Sequence, residues 1–222
     1  MFPDAIKFKQ YVGAIQAGNL TIEILPKADR DSNTNKWHNI LLAMLNECQL
    51  IKVEHPELAN LQLHSNSILG AYLHLFIKEL QQLLHEGLIK KYRKIDGNQS
   101  SLKGQLLFSD HVNRNVVHKE RFFVRYTVYD HQHVLHKVLY KALQLVIKLA
   151  TSPVVKGRAE RLILNFPEMP DIKVDESLFT KIIVDRKSAR YKQAILIGKM
   201  LLLNYRPDIT GRSDHVLALL FA

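Results

Sequence analysis

The chain has a single cysteine, Cys48, so no internal disulfide bond can form. It has no apolar run of the roughly 20 residues that a membrane-spanning helix needs. Its first residues, MFPDAIKFKQ, also lack the apolar stretch of a signal peptide. These absences predict a cytoplasmic protein without a membrane partner. With 222 residues, 47% hydrophobic and 23% charged, the composition is that of a folded protein with a sizeable core.

Glycine is also scarce, with only 9 residues, and two nucleotide-binding patterns are missing. Neither G-x-x-x-x-G-K-[ST] nor G-x-G-x-x-G occurs, so the chain has no loop of the kind that cradles phosphates. The sequence therefore predicts no nucleotide cofactor in this chain. Any GTP used in its biology is expected on a partner.

Positive charge is abundant and unevenly distributed along the chain. The formal net charge is +10, and residues 88–148 carry 12 Lys and Arg against 4 Asp and Glu. Residues 1–87 are slightly acidic by comparison, with 7 basic and 9 acidic side chains. A cluster of this kind attracts a phosphate backbone or an acidic protein surface, although a solvated face without a partner is also compatible with it.

The start of the chain predicts a β-hairpin within Tyr11–Lys27. Gly18-Asn19 suits its two-residue turn. The second strand, LTIEI from Leu20 to Ile24, alternates apolar and polar residues, which predicts one buried and one solvated face. A polar loop, Asp29–Asn35, follows.

Helical spacing of apolar residues predicts two amphipathic helices after the hairpin. The first covers roughly residues 36–48 and places Cys48 on its apolar face. The second carries its apolar stripe from Leu69 to Leu84, with a cap among Ser65–Ser67 and an end at Gly87.

The middle of the chain is predicted to contain strands and one short helix. Strands are expected over Leu88–Ile95, Ser101–Phe108 and Arg121–Tyr129. Asp96-Gly97-Asn98 is predicted to form the turn between the first two strands. Ser109 is predicted to cap a short helix that ends near Val117.

The last third is predicted to be mainly helical. Helical patterns run over about His133–Ala150, Pro153–Asn165 and Ser188–Asn204, with a short segment near Glu176–Ile182. The terminal residues VLALLFA are too apolar for a free end, so they either dock as a strand or lead into a further segment. The predicted fold class is α+β, a β-rich part with inserted helices followed by a mainly α-helical part. We expect a finger-like β-rich domain over 1–130 and a helical domain over 131–222.

Three residues suggest a compact metal-dependent nuclease. Asp171 follows Pro170, and Asp185 precedes Lys187 by two positions, which resembles a PD…(D/E)xK pattern in letters and spacing. Such nucleases hold a divalent ion with two carboxylates while the lysine assists the attacking water. The region reads as linker and helix rather than as adjacent strands, so we prefer no catalytic residue in this chain.

Other groups of reactive residues have simpler interpretations. His131, His133 and His136 could share a zinc ion, but no second ligand pair at zinc spacing accompanies them, and we predict no metal site. Ser213-Asp214-His215 is a catalytic triad in letters only, because consecutive residues cannot converge as nucleophile, base and orienting group.

The basic block contains the candidate binding residues for a partner or nucleic acid. Its cations are interleaved with aromatic residues, a composition compatible with contacts that follow a nucleic-acid backbone. The candidates are Lys90, Lys91, Arg93, Lys94, Lys103, Gly104, Gln105, Arg114, Arg121 and Arg125.

Several segments resemble the McrC family, in the family's order along the chain. They are YVGAIQAGNLTIEILPK, WHNILLAML, LHEGLIKKYR, LKGQLLFSDHVNRN, FFVRYTVYDHQHVLHKVLYKAL, VDRKSARYKQAILIGKMLL and GRSDHVLALLFA. Asp185, Arg186, Arg190 and Tyr191 match a McrC-like pattern that precedes the family's nuclease domain. The chain departs from the family where His136-Lys137 replaces an Asn-Arg pair and where Lys103-Gly104-Gln105 replaces a more basic turn.

The resemblance implies an accessory subunit of a modification-dependent restriction system. Such a subunit would dock on a McrB-like AAA+ GTPase, stimulate GTP hydrolysis and couple it to DNA restriction, contacting DNA through the complex. GTP and Mg²⁺ are then expected on the partner. The segments cover the family's N-terminal and middle regions without its C-terminal nuclease domain, where a further Mg²⁺ would bind. A stand-alone basic DNA-binding module is the main alternative, and the compact nuclease is a second one.

Overall fold

A computed structural model describes residues 11–18, 20–26, 34–48, 67–206 and 216–221. Most of the predicted loop 29–35 and the triplet Ser213–His215 lie outside these residues. The elements in chain order are β1 Val12–Ala17, β2 Leu20–Ile24, α1 Thr34–Glu47, α2 Ile68–His85, β3 Lys91–Gln99, β4 Gln105–Leu106, α3 Phe108–Arg114, β5 Phe122–Asp130, α4 Val134–Leu149, α5 Pro153–Asn165, α6 Glu176–Thr180, a 3₁₀ helix Arg186–Tyr191, α7 Lys192–Asn204, β6 Tyr205–Arg206 and β7 Val216–Phe221.

The first sheet joins the two ends of the chain. Its strand order is β2-β1-β7-β6, and all its pairs are antiparallel. Ala17 pairs with Leu20, which confirms the predicted hairpin, and Gly18 adopts the positive φ of 57° that its turn requires. β7 lies between β1 and β6, so the apolar terminal residues do dock as a strand.

One hydrophobic core holds this sheet against the helices. Apolar faces of α2, α4 and α7 meet in it, and Tyr72, Phe76, Leu139 and Leu201 are fully buried there. Ser67 caps α2, with its hydroxyl accepting a hydrogen bond from the Gly70 N–H at 2.9 Å. For α2 and α4 the helical periods read from the sequence are therefore confirmed, because their apolar stripes are the faces that the core buries. We call this unit the helical body.

The second sheet is separate from that core. Its strand order is β3-β5-β4, and α3 packs against β5. Its buried residues Phe123 and Val124 do not belong to the core of the helical body, nor does any other side chain of residues 91–130. We call residues 91–130 the projecting sheet and its far end, residues 100–121, the tip.

The turn predicted at Asp96-Gly97-Asn98 is wrong, because β3 continues through it. Gly97 pairs with Val124, and Asp96 pairs with Arg125, whose guanidinium binds the Asp96 carboxylate at 2.6 and 2.7 Å. Cross-strand pairing thus overrides the local turn preference. The chain reverses later instead, so only Gln105–Leu106 of the predicted strand 101–108 is extended.

Three further local predictions are also wrong. Helix α3 begins at Phe108, so Ser109 is not its cap. The apolar residues of β2 are not buried as predicted: β2 is an edge strand, and Leu20 is 62% exposed. Cys48 follows the end of α1 and is exposed, so its thiol is not part of an apolar face.

The α+β fold class is confirmed. The predicted domain boundary at residue 130 stays a prediction. The first sheet combines β1 and β2, which precede this residue, with β6 and β7, which follow it, whereas all strands of the second sheet precede it. Among the described residues, no helix combines the length and apolar character needed to cross a membrane.

Gly13 provides a test of the joint between β1 and β7. Its φ is +145°, and a Cβ there would lie 1.9 Å from the carbonyl oxygen of Leu219. We expect Gly13→Ala to lower the free energy of unfolding by about 3 kcal/mol or more, because backbone atoms cannot move aside. Gly157→Ala is the control, since a Cβ on this helical glycine meets nothing within 4 Å. It should stabilise by about 0.5–1 kcal/mol. Urea denaturation measures the free energy of unfolding of both variants. Equal effects of the two substitutions would contradict the close approach of β1 and β7 at Gly13.

Candidate functional site

A tight turn fixes the tip of the projecting sheet. Gly104 has a φ of +84°, and a Cβ there would lie 2.3 Å from the carbonyl oxygen of Arg125. Only glycine allows the backbone to approach β5 this closely. The neighbouring Lys103 extends its ammonium over the ring of Tyr126, 5.5 Å from the centroid, while Gln105 pairs with Arg125. The turn predicted as a binding element is thus a rigid one.

Asn115 holds the rest of the tip together. Its side chain is buried, and its amide Nδ2 donates to the Asn98 Oδ1 at 2.9 Å and to the Arg121 carbonyl at 3.1 Å. The same nitrogen lies 3.1 Å from the His111 Nδ1, which also accepts from the Phe123 N–H. Asn115 thereby ties the segment after α3 to β3 and β5. Nothing in its sequence context marked it beforehand.

The surface of the tip is unusually apolar for a basic segment. Its exposed large apolar side chains are Leu102, Phe108, Val112, Val116 and Val117. Phe108 is 71% exposed and stands four residues before Val112, so both lie on one face of α3. Apolar side chains gathered on a surface in this way are typical of protein interfaces.

Many of the predicted basic candidates are bound within the chain. Arg93 makes a two-pronged contact with Asp130 at 2.8–3.0 Å and also donates to Gln132. Hydrogen bonds from the guanidinium lower the pKa of Asp130, and those from Arg125 lower the pKa of Asp96. Arg93 and Arg125 therefore brace the two strands.

Other candidates differ in how far they are neutralised. Arg114 lies 4.6 Å from the ring centroid of Phe123 and 3.6 Å from Asp110, and Arg121 lies 3.5 Å from Glu120. Within the described part of the chain, no ion pair involves Lys90 or Lys94.

A polar clamp joins the projecting sheet to the helical body. The 3₁₀ helix supplies it: Arg190 donates to the Glu86 carboxylate at 2.7 Å and to the Gly87 carbonyl. Asp185, which precedes this helix, binds the Lys91 ammonium at 3.3 Å. The McrC-like pattern of acidic residue, arginine and tyrosine is therefore a structural element that holds the chain entering β3.

The centre of this clamp is a buried chain of hydrogen bonds through Tyr191. The Ile89 N–H donates to the Tyr191 hydroxyl at 3.0 Å, and that hydroxyl lies 3.0 Å from the His136 Nε2. The other ring nitrogen of His136 faces the His131 carbonyl at 2.8 Å. Because a carbonyl can only accept, the His136 proton lies on Nδ1, and the Tyr191 O–H donates to Nε2.

The three histidines predicted as a zinc alternative have other partners. His131 Nδ1 and His133 Nε2 both lie within hydrogen-bond distance of the Ile89 carbonyl, at 3.3 and 3.2 Å. Burial lowers the pKa of His136 to about 3, so this side chain is neutral at physiological pH. Over the described ranges, no cluster of three or more His, Cys, Asp or Glu side chains could hold a metal ion.

The nuclease candidates are held in two separate networks. Asp171 accepts a hydrogen bond from the Lys141 ammonium of α4 at 2.7 Å. Asp185 instead caps the 3₁₀ helix, accepting from the Ser188 N–H at 2.8 Å. Hydrogen bonds from Ser188 and Lys91 lower the pKa of Asp185 to about 2. The two carboxylates thus serve structural contacts, and the residues do not fit a shared divalent ion.

Two exposed tyrosines mark the base of the projecting sheet, where β3 begins and β5 ends. Tyr92 and Tyr129 are cross-strand partners, and their ring centroids lie 4.6 Å apart. They border a cleft of about 700 Å³ that Lys90 and Lys187 also line. We call Tyr92 and Tyr129 the base tyrosines.

Comparison with known proteins finds a family model that matches nearly the whole chain. The family model described as McrBC 5-methylcytosine restriction system component matches residues 6–222. No curated protein matches the chain.

Solved structures with a similar fold come from Thermococcus gammatolerans. A chain in the cryo-EM structure of its McrBC complex has a TM-score of 0.69 and 23% identity, covering 88% of this chain and 60% of that one. A chain in the refined half-complex from a tetradecameric assembly of McrB AAA+ hexamers with bound McrC has a TM-score of 0.72 and 20% identity, covering 96% and 49%. The present chain thus spans about half to three-fifths of their length.

The neutral state of His136 predicts a pH dependence of stability. Its pKa is about 3 in the folded protein and about 6.5 when unfolded, so the unfolded chain binds the proton more tightly. Stability from this residue is complete above about pH 6.5 and falls as the pH decreases toward the folded value. Between about pH 7 and about pH 5 the loss should approach about 2 kcal/mol.

Urea denaturation at both pH values measures this effect in the wild type and in His136→Asn. The asparagine variant keeps a hydrogen-bonding side chain but does not titrate, so its stability should change less over the same range. An identical pH dependence in both proteins would show that His136 is not the titrating group.

Proposed function

Since the chain belongs to the McrBC 5-methylcytosine restriction system component family, we propose that it acts as a McrC-type accessory subunit. In this function it docks on a McrB-like AAA+ GTPase, stimulates GTP hydrolysis and couples hydrolysis to DNA restriction. One observation carries the proposal: the family model spans the helical body and the projecting sheet together. GTP and its Mg²⁺ belong to the partner, because this sequence has no phosphate-binding loop.

The tip is the part of the chain best suited to contact the GTPase. It combines exposed apolar side chains with Arg114, and an arginine beside aromatic and aliphatic groups is typical of protein interfaces. The projecting sheet also stands apart from the core of the helical body. A partner can therefore surround the tip without disturbing the packing that keeps the chain folded.

A stiff tip explains how docking could change the rate of GTP hydrolysis. A subunit changes turnover only if it binds one state of the ring more tightly than another. Such discrimination needs a contact surface that does not adapt equally to both states. Gly104, Asn115 and the cross-strand contact of Arg125 with Asp96 supply that rigidity.

The first test measures GTP hydrolysis by a McrB-type GTPase of the source organism with increasing amounts of the chain. We expect stimulation that saturates. The double variant Phe108→Ser, Val112→Ser should require at least about tenfold more protein for half-maximal stimulation, because it removes the apolar face of α3. Leu164→Ser is the control, since Leu164 is similarly exposed but lies at the end of α5. An unchanged hydrolysis rate at saturating wild-type chain would refute the coupling.

A second test separates the shape of the tip from its side chains. Gly104→Ala should weaken stimulation, because a Cβ at this φ collides with the backbone of β5 and displaces the turn. Gly97→Ala is the matched control in the same sheet, where a Cβ meets nothing within 4 Å. Circular dichroism checks that each variant is folded, and the GTPase assay measures its stimulation of hydrolysis. Equal stimulation by both folded variants would show that the geometry of the turn is not used.

A further inference from the structure

We infer that the base tyrosines stack on the bases of a single-stranded nucleic acid, while Lys90, Lys94 and Lys187 contact its phosphates. This site lies at the opposite end of the projecting sheet from the tip. It is therefore independent of the proposed docking on a GTPase.

The aromatic rings are available for stacking. Tyr92 is 77% exposed and Tyr129 is 55% exposed, although each ring is large enough to be buried at a gain. Because they are cross-strand partners, both rings project from one face of the sheet, with centroids 4.6 Å apart and planes tilted by 36°. Adjacent aromatic rings on a β-sheet surface are the usual platform for unpaired bases.

The charge beside the rings is positive and largely uncompensated. No ion pair among the described residues involves Lys90, Lys94 or Lys187. The nearby carboxylates are already neutralised, Asp96 by Arg125 at 2.6 Å and Asp185 by Lys91 at 3.3 Å. Three lysines next to a stacking surface suit a phosphate backbone.

The cleft beside the rings has room for a base and its sugar. Its volume of about 700 Å³ lies within the range of about 300–1,000 Å³ that small-ligand sites occupy. Leu88 and Ile89 supply apolar walls, and Lys90 and Lys187 line the same cleft. The polar clamp fixes Ile89 from behind, so one wall of the cleft is rigid.

Composition favours nucleic acid over a protein at this site. Lysine is depleted from protein interfaces, where aromatic residues usually stand among apolar ones. The base tyrosines are flanked by lysines, whereas the tip has the exposed apolar residues. A duplex hides its base faces, so stacking requires a single strand.

Fluorescence anisotropy with labelled oligothymidine of about 20 nucleotides tests the inference, since binding sites of this kind cover about 4–16 nucleotides. A duplex of equal length is measured in parallel. We expect tighter binding to the single strand. Tyr92→Ala and Tyr129→Ala should each weaken it roughly fivefold to a hundredfold, whereas Tyr92→Phe and Tyr129→Phe should bind nearly as the wild type does.

Salt dependence tests the lysines separately. Lys90→Gln and Lys94→Gln should each reduce the slope of log affinity against log salt by about 0.7. Lys156→Gln, an exposed lysine of α5, is the control and should leave the slope unchanged or change it less.

Three results would overturn the inference. They are equal binding of single strand and duplex, unchanged binding by both alanine variants, and a loss of GTPase stimulation in those variants while oligonucleotide binding persists. The last result would make the base tyrosines a protein contact. The variant Phe108→Ser, Val112→Ser should still bind the oligonucleotide, so failure of one site is distinguishable from failure of the other.

Discussion

The hydroxyl of Tyr191 is the contact on which the position of the projecting sheet depends. It accepts from the Ile89 N–H and donates to the His136 Nε2, so a single buried oxygen joins the 3₁₀ helix, α4 and the chain that enters β3. Removing it would leave the Ile89 N–H and the buried His136 Nε2 without this partner, at about 1–3 kcal/mol for the buried group. Leu88 and Ile89 also pack against the core of the helical body, whereas no side chain of residues 91–130 belongs to it, so within the described part of the chain the sheet is attached only through the segment that enters β3 and the polar contacts around that segment.

Polar attachment has a mechanical consequence. Hydrogen bonds depend on direction, whereas apolar contacts tolerate sliding, so a sheet joined through Tyr191, Arg190 and Asp185 keeps a defined angle to the helical body. Within the sheet, Arg93 and Arg125 lock neighbouring strands through carboxylates in the same way. A force applied at the tip would therefore reach α4 and α7 through a few oriented contacts. This property suits a subunit that transmits a change between partners.

The sequence predicted the long helices α2, α4 and α7 well because each of them buries an apolar stripe, and that periodicity is a local property of the chain. It failed where a distant partner decides the outcome. Asp96-Gly97-Asn98 has the composition of a turn, but pairing with β5 keeps it extended. Likewise, the basic block was recognised as a whole, yet only the structure separates Arg93, which bridges strands, from Lys94, which makes no ion pair among the described residues. The roles of Tyr191 and Asn115 depend on contacts that no local pattern encodes.

The tip and the base of the projecting sheet expose different kinds of surface, and the ion pairs within the sheet differ between these two ends. At the tip, Arg114 and Arg121 have carboxylate neighbours, and the exposed groups around them are mostly aliphatic. At the base the carboxylates of Asp185 and Asp130 are occupied by Lys91 and Arg93, which leaves other lysines to act on solvent or on a ligand. Desolvating an unpaired lysine is costly unless an anion replaces the water, and for this reason we infer the nucleic-acid site at the base and propose the protein contact at the apolar tip. The internal ion pairs thus brace the strands of the sheet, and its two ends expose different side chains.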